Sequence, residues 1–452
     1  MNDVIPSVVV VAAFGMALLA LSRSVGRRQQ PLVVIAVFVH IMAAIAMVLI
    51  VRDYYGYGDM LGYWRGGQRL AQLLSADFFG TAPDVVALLF QRQNNLTVIG
   101  NGWSTGSMHA LSGILCFVLR DSLFAICLFV SLSGCAARLW LFAAVRDVLP
   151  PSSATAAAVV CLLIPSVVFW TSGLLKEAIA TPALAIATGA ALRWSSGRAS
   201  PPRMVGLMIP AMIVVGLTKP YVLFPLAASL VVGYVWRRSL AVSGRVRIAE
   251  RPVLLMAGVV VIIVAVVALG ALFPRYSIAN FADASEDLRA LGASHAGGST
   301  IALSVGRGTV GLLGFAPVAM ATALFRPLIV EVKNPLMFIS AVEMSVFLGL
   351  FVRAAGMRPR GVVLAALRGS WLFAAAAVFV LIFAFAVGAS TTNLGTLSRY
   401  RVPMLPFYGL GFVALEAVRA RLVGRRSAVS MNRRRGWRHE ASSTASQNVR
   451  IR

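Results

Sequence analysis

The chain has 452 residues, 59% of them hydrophobic, and a mean hydropathy of +0.83, yet it carries a net charge of +25. Long apolar runs recur from residue 5 to residue 418, which leaves no room for a separate soluble domain and predicts a polytopic membrane protein. Because backbone groups have no partners in hydrocarbon, runs of this length are expected to be helices. The predicted fold class is therefore an all-α transmembrane helix bundle.

Apolar length and charge together predict the topology. Runs bounded by breakers and charges predict about 11 spans: 5–22, 32–51, 122–143, 154–170, 178–194, 204–217, 221–236, 253–273, 336–352, 371–389 and 403–418. Arginine clusters with almost no acids fill every second gap, whereas the other gaps hold most of the acids and all three lysines. Because Lys and Arg are retained on the cytoplasmic side, this alternation predicts a multi-pass protein of the inner (plasma) membrane, with its N-terminus outside and its C-terminus in the cytoplasm.

Two segments complete the domain organisation. Residues 1–422 are expected to form the transmembrane bundle, and residues 423–452 a basic, disordered cytoplasmic tail. Residues 302–325 are apolar enough to cross, but a crossing there would move a downstream arginine cluster outside. We therefore interpret 302–325 as a re-entrant hairpin, an arrangement tolerated where the backbone is buried in protein.

The placement of the basic residues limits the classes of partner. Clusters beside helix ends predict contacts with anionic membrane lipids and do not indicate nucleic acid. The four cysteines and four histidines show no metal or redox spacing, so the sequence predicts no cofactor.

The longest outer loop is expected at residues 52–121, and it begins with Asp53 and Asp59. After Asp59, apolar residues recur with helical spacing, which predicts an amphipathic helix at the membrane interface containing Tyr63 and Trp64. Asp59 is a candidate N-cap of this helix and a candidate catalytic carboxylate. The two roles are compatible.

Other outer segments also place ionisable residues beside helix ends. These residues are Lys176, Glu177, Lys219, Arg326, Glu331, Lys333, Glu343, Arg399 and Arg401. Such residues are costly beside membrane spans and tend to mark function, although a hairpin lysine can also simply extend its head group to the interface. Arg and Lys suit a phosphate or diphosphate head group, and a nearby carboxylate suits deprotonation of an attacking hydroxyl. This combination is what glycosyl transfer from a lipid-linked phosphate sugar requires.

Three short segments resemble the GT-C superfamily of polytopic glycosyltransferases, in particular its protein O-mannosyltransferase-like and exopolysaccharide-cluster members. The segments are Gly58-Asp59 to Tyr63-Trp64, Phe169 to Glu177, and Arg399 to Pro406. The resemblance implies a polyprenyl-phosphate-sugar donor, a lipid or glycan acceptor, and an acidic residue of the first outer loop as catalytic base. Asp59 matches that position, with Asp53 second.

The chain departs from the family pattern in two ways. A span precedes the usual first one, and the frequent paired acids are absent because Met60 follows Asp59. We expect Lys176, Lys219, Arg326, Arg399 and Arg401 to bind the substrate phosphate. Glu177, Glu343, Tyr63 and Trp64 are further candidate site residues.

Three other functions are compatible with the same features. A polysaccharide repeat-unit polymerase also joins lipid-linked glycans on the outer face. A transporter or flippase would bind a lipid-linked sugar without chemistry, although such proteins usually show repeat symmetry and polar residues within several spans. The third is a purely structural membrane protein.

Overall fold

The computed structural model describes residues 3–23, 25–243, 252–274, 277, 280–294, 311–312, 314–357 and 361–424, which form helices and no strands. In the first half of the chain the helices are α1 (Val4–Ser22), α2 (Gln30–Val48), α3 (Asp59–Ala76), α4 (Phe78–Leu89), α5 (Ser104–Leu119), α6 (Leu123–Arg146), α7 (Ala154–Leu162), α8 (Pro165–Trp170) and α9 (Lys176–Ser195). In the second half they are α10 (Pro201–Thr218), α11 (Leu223–Ser243), α12 (Pro252–Leu272), α13 (Phe281–Ser294), α14 (Ala316–Phe325), α15 (Pro335–Ala355), α16 (Val362–Gly369), α17 (Trp371–Ser390), α18 (Leu394–Tyr400) and α19 (Leu405–Gly424). A π-helical segment, Leu49–Tyr55, extends α2.

Among the described residues, seven helices are long and apolar enough to cross a membrane. They are α1, α2 with its π-helical extension, α6, α10, α11 with the turn before it, α15 and α17. The pair α18 and α19, bent by 66°, is an eighth candidate. The chain is therefore an all-helical, multi-pass membrane protein, while the count of about 11 spans stays a prediction. The predicted span 154–170 is divided into α7 and α8, with the break just before Pro165.

Two large apolar cores hold most of the bundle together. In the N-terminal half, α6 packs against α1, α2 and α9 and buries Cys127 and Phe142 completely. In the C-terminal half, α17 packs against α11 and α14, and the stacked rings of Phe379 and Phe407 lie 3.9 Å apart.

Residues 52–121 contain α3, α4 and α5. The predicted amphipathic helix is confirmed as α3, while its position at the membrane interface stays a prediction. One side of α3 buries Met60, Tyr63 and Leu70, while the opposite side is polar and exposed. The buried side packs on α5, where Gly67 lies so close to Ser112 that an added Cβ would come within 2.8 Å of its backbone. The close approach packs α3 directly against α5.

The expected capping role of Asp59 is wrong. Gly58 is the N-cap residue, with φ of 129°, a conformation that glycine adopts without the steric cost of a Cβ. Asp59 is the first helical residue and makes no capping hydrogen bond. Its carboxylate accepts a hydrogen bond from Arg399 instead.

The structure describes only part of the hairpin predicted at 302–325. Residues 302–310 and 313 lie outside the described residues, as do 425–452 of the predicted tail. The described part includes α14, a helix of 10 residues that packs on α17. A helix of this length is too short to cross a membrane alone, and the hairpin stays a prediction.

Candidate functional site

Four segments distant in sequence bring charged side chains together at one place in the bundle. Asp59 begins α3, Lys176 and Glu177 begin α9, Lys219 lies in the turn between α10 and α11, and Arg399 lies in α18. Each stands at a helix end or in a short helix, where the chain turns and side chains can converge. The packing of α9 against α6 and α10 fixes the middle of this group.

Glu177 is the buried centre of the cluster, with an exposed fraction of 0%. Its Oε1 lies 2.7 Å from Nζ of Lys219 and 2.9 Å from Nε of Arg399. The Lys219 ammonium also lies over the ring of Tyr400, 4.9 Å from its centroid. A carboxylate shared by two cations is held firmly in its charged form, so Glu177 is suited to positioning cations and poorly suited to accepting a proton.

Arg399 links this buried pair to the accessible carboxylate of Asp59. Its Nη1 donates a hydrogen bond of 2.7 Å to Oδ2 of Asp59, whose side chain is 54% exposed. Arg399 thus uses one edge to contact buried Glu177 and another to contact exposed Asp59. Loss of the Asp59 contact would leave the guanidinium anchored by Glu177.

A cavity of about 440 Å³ opens on this cluster and is lined by Asp59, Glu177, Lys176, Lys219 and Arg399. We call it the charged cavity. Three cations and two carboxylates leave one surplus positive charge in its wall, which favours an anionic ligand. Its volume lies in the range of about 300–1,000 Å³ that is usual for small-molecule sites.

Lys176 is the lysine of this cavity whose hydrogen bonds go to hydroxyls. Its Nζ donates to Oγ of Ser104 at 2.8 Å and to Oγ1 of Thr105 at 3.2 Å, at the start of α5. Its side chain is half-buried and lines the cavity. An ammonium held by neutral hydroxyls keeps more of its charge for an incoming anion than one paired with a carboxylate.

A second, largely apolar cavity of about 220 Å³ shares Asp59 and Arg399 with the first. Its other walls include Met47, Ile50 and Trp170. The Asp59–Arg399 ion pair therefore stands between a charged cavity and an apolar one. This arrangement fits an amphiphilic molecule whose charged group lies on one side of the pair and whose hydrocarbon lies on the other.

Tyr63 and Trp64 are placed differently. Tyr63 lines the charged cavity, and burial, followed by the nearby carboxylate of Asp59, raises its pKa, so its phenol is a neutral hydrogen-bond donor. The ring of Trp64 donates from Nε1 to the backbone oxygen of Asp121 at 3.0 Å and lines neither cavity. Trp64 therefore anchors α3 to the end of α5.

Arg326, Glu343 and Arg401 lie apart from the charged cavity. Fully buried Arg401 donates hydrogen bonds to the backbone oxygen of Arg326 and to the hydroxyl of Ser340. Oε2 of Glu343 accepts a hydrogen bond of 2.8 Å from the backbone of Ser166. None of the three predicted residues lines either of the two cavities that meet at Asp59.

Asp53 also lies apart from the charged cavity. It pairs with its neighbour Arg52, with Oδ1 2.7 Å from Nε, on the π-helical extension of α2. Its side chain is 51% exposed and lines neither cavity. Of the two carboxylates predicted as catalytic, Asp59 is the one beside the clustered cations.

Sequence reasoning found one neutral residue of the site, Tyr63, and missed four others. Ser104 and Thr105 hold Lys176, and Tyr221 and Tyr400 flank the ammonium of Lys219. The tyrosines have a detectable signal, because Tyr400 follows Arg399 and Tyr221 comes two residues after Lys219. The hydroxyls at the start of α5 have none, since serine and threonine are common at helix starts.

Comparison of the chain with protein-family models, curated proteins and solved structures finds no match. Within the described part of the chain, no group of three or more His, Cys, Asp or Glu side chains is placed to hold a metal ion.

Proposed function

We propose that the protein is an integral-membrane glycosyltransferase of cell-surface polysaccharide biosynthesis. It would transfer a sugar from a polyprenyl-phosphate-linked donor to a lipid or polysaccharide acceptor. The observation that carries the proposal is the position of Asp59, an accessible carboxylate that stands between a charged cavity with surplus positive charge and an apolar cavity. The carboxylate suits deprotonation of the acceptor hydroxyl, the charged cavity suits the donor phosphate, and the apolar cavity suits the hydrocarbon chain of the donor.

The geometry suggests a role for each charged side chain in the reaction. The donor phosphate binds Lys176 and competes with Asp59 for Arg399, which stays anchored to Glu177. Asp59, released from its ion pair, accepts the proton of the acceptor hydroxyl. The hydroxyl oxygen bonds to the anomeric carbon as the bond from that carbon to the phosphate oxygen breaks. Polyprenyl phosphate leaves with the electron pair, and the cations stabilise its charge.

The topology belongs to the same proposal. The clustered charges are contributed by segments that the arginine distribution assigns to the outer face, which supports placing these segments on one side of the membrane. The proposal of about 11 spans, an inner-membrane location and an N-terminus outside rests on that arginine distribution. Single cysteines introduced at Asp59 and Arg198 test it. We expect a membrane-impermeant thiol reagent to label the first from outside and not the second. The native background is low because all four native cysteines are buried.

The sequence resemblance to the GT-C superfamily supports the same reaction class. The three segments that carry it supply four of the five charged residues that line the cavity, namely Asp59, Lys176, Glu177 and Arg399. The likeness and the geometry thus point to the same side chains.

The experiment that tests the function uses the purified protein in liposomes with radiolabelled polyprenyl-phosphate and polyprenyl-diphosphate sugars. We expect the monophosphate donor to be consumed and its sugar to appear on an acceptor lipid or glycan. Movement of intact labelled lipid across the bilayer, without cleavage of the sugar–phosphate bond, would identify a flippase instead. Consumption of diphosphate-linked oligosaccharides with chain lengthening would identify a polymerase.

A further inference from the structure

A third cavity, of about 550 Å³, lies beside the site and differs from it in chemistry. Five of its eight lining residues carry a carboxamide, and we call it the amide pocket. The five are Gln91, Gln93, Asn94, Asn95 and Asn101. The two charged residues of the pocket, Asp84 and Arg92, have opposite signs, so its wall is polar and close to neutral.

Hydrogen bonds between its own residues preorganise the pocket. Asn94 and Asn101 bond to each other through their amides at 2.8 and 3.1 Å. Asn95 donates to Asp84 at 3.2 Å, and Gln91 donates to the backbone oxygen of Leu217, which ties the loop to α10. A carboxamide offers two donors and two acceptor lone pairs. Asn94 uses all four within the loop, so the capacity for a ligand lies in the carbonyl oxygens of Gln91 and Asn101 and in the amides of Gln93 and Asn95.

This wall is suited to hydroxyl groups. A neutral, polyhydroxylated ligand presents both donors and acceptors, and carboxamides can meet each of them without imposing a charge. An anionic ligand would gain little from a near-neutral wall, and a hydrocarbon chain would leave the amides unpaired. Neutral glycans are the ligand class whose chemistry matches.

Consecutive residues of the chain line the amide pocket and the charged cavity. Gly102 lines the amide pocket, while the next two residues, Trp103 and Ser104, line the charged cavity. Ser104 also accepts the hydrogen bond from Lys176. Trp103 is 57% exposed and offers an apolar ring face at the boundary, a surface on which the C–H face of a sugar can pack.

We propose that the amide pocket binds the neutral glycan portion of a substrate and guides it into the charged cavity past Trp103. This inference rests on the proposed glycosyl transfer and adds to it a substrate class, a hydroxyl-rich neutral oligosaccharide longer than one sugar. The pocket holds the sugars remote from the reacting bond, and the charged cavity holds the phosphate.

Binding measured without any donor tests the pocket separately from turnover. The full chain in lipid nanodiscs is titrated with short gluco-, galacto- and manno-oligosaccharides, with saturation-transfer NMR as the readout. The test variant is Gln93→Ala combined with Asn95→Ala, both exposed residues of the pocket. The matched control is Gln72→Ala, an exposed amide of α3 that does not line the pocket. We expect one sugar series to bind wild type, the double variant to bind about tenfold more weakly, and the control to be unchanged.

The outcomes separate this inference from the proposed function. Failure of all three sugar series to bind wild type, or equal weakening in the double variant and the control, would overturn the glycan site. Sugar binding without consumption of any polyprenyl-linked donor would uphold the pocket and refute the transferase. In turnover assays, competition with the acceptor assigns the pocket to the acceptor glycan, and competition with the donor assigns it to the donor glycan. Either result supports the site.

Discussion

Removing single charges from the buried centre of the charged cavity should destabilise the protein in a defined order. At an effective dielectric constant of about 20, charges 2.7 Å apart, as in the Lys219–Glu177 pair, attract by about 6 kcal/mol, and much of this offsets the cost of burying them. Glu177→Gln leaves two cations without their shared anion and should lower the free energy of unfolding by about 3–5 kcal/mol. Lys219→Met should cost less, about 1–3 kcal/mol, because Glu177 keeps Arg399 at 2.9 Å.

Reversible unfolding in mixed detergent micelles measures these differences. The double variant should cost less than the sum of the two single variants, with a coupling energy of about 1–3 kcal/mol. Arg198→Met is the matched control, because Arg198 pairs with Asp147 at the surface and its side chain is 58% exposed; its cost should stay below about 1 kcal/mol. The reasoning is refuted if Lys219→Met costs as much as Glu177→Gln, or if the effects of the two are additive.

Two further predictions separate ligand binding from packing. Lys176→Met should raise the Michaelis constant for the donor about tenfold or more. The folded fraction should stay normal, because the hydrogen-bond partners of Lys176 are neutral hydroxyls. Lys333→Met is the control, and equal effects of the two variants on donor binding would contradict a role of Lys176 in binding the phosphate. Gly67→Ala should destabilise by about 1–3 kcal/mol because its Cβ would press on the backbone of Ser112, whereas Gly62→Ala, on the same helix with open space, should be neutral or stabilising. Thermal unfolding of both glycine variants measures this difference. An unchanged stability of Gly67→Ala would show that α3 and α5 pack less closely than the structure indicates.

The amino-acid sequence predicts local structure at this site better than long-range pairing. Helical periodicity is enough to place α3, since its buried residues recur at the spacing of one helix face. Nothing local shows that Lys219 and Arg399 would meet at Glu177, because ion pairing across helices depends on how those helices pack. The prediction that Asp59 caps α3 is wrong because Gly58 occupies the N-cap position and Asp59 is already the first helical residue.

Arg399 and Arg401 illustrate the same limit. Both are arginines of one short motif, and sequence reasoning assigned both to the substrate phosphate. Two positions apart near the end of a helix, they face different surroundings. Arg399 lines both cavities, while Arg401 is fully buried against Ser340.

Turnover of the Asp59→Asn variant tests the central claim most directly. Asp59 makes no capping hydrogen bond, so the substitution leaves the start of α3 intact while removing a proton acceptor. Asp53→Asn is the matched control, an exposed aspartate of the same region that lines neither cavity. With polyprenyl-phosphate-sugar donor in liposomes, we predict that Asp59→Asn loses at least about a hundredfold in kcat with donor binding retained, and that Asp53→Asn stays near wild type. Near-normal turnover by Asp59→Asn, or a comparable loss in Asp53→Asn, would contradict the assignment of Asp59 as the base.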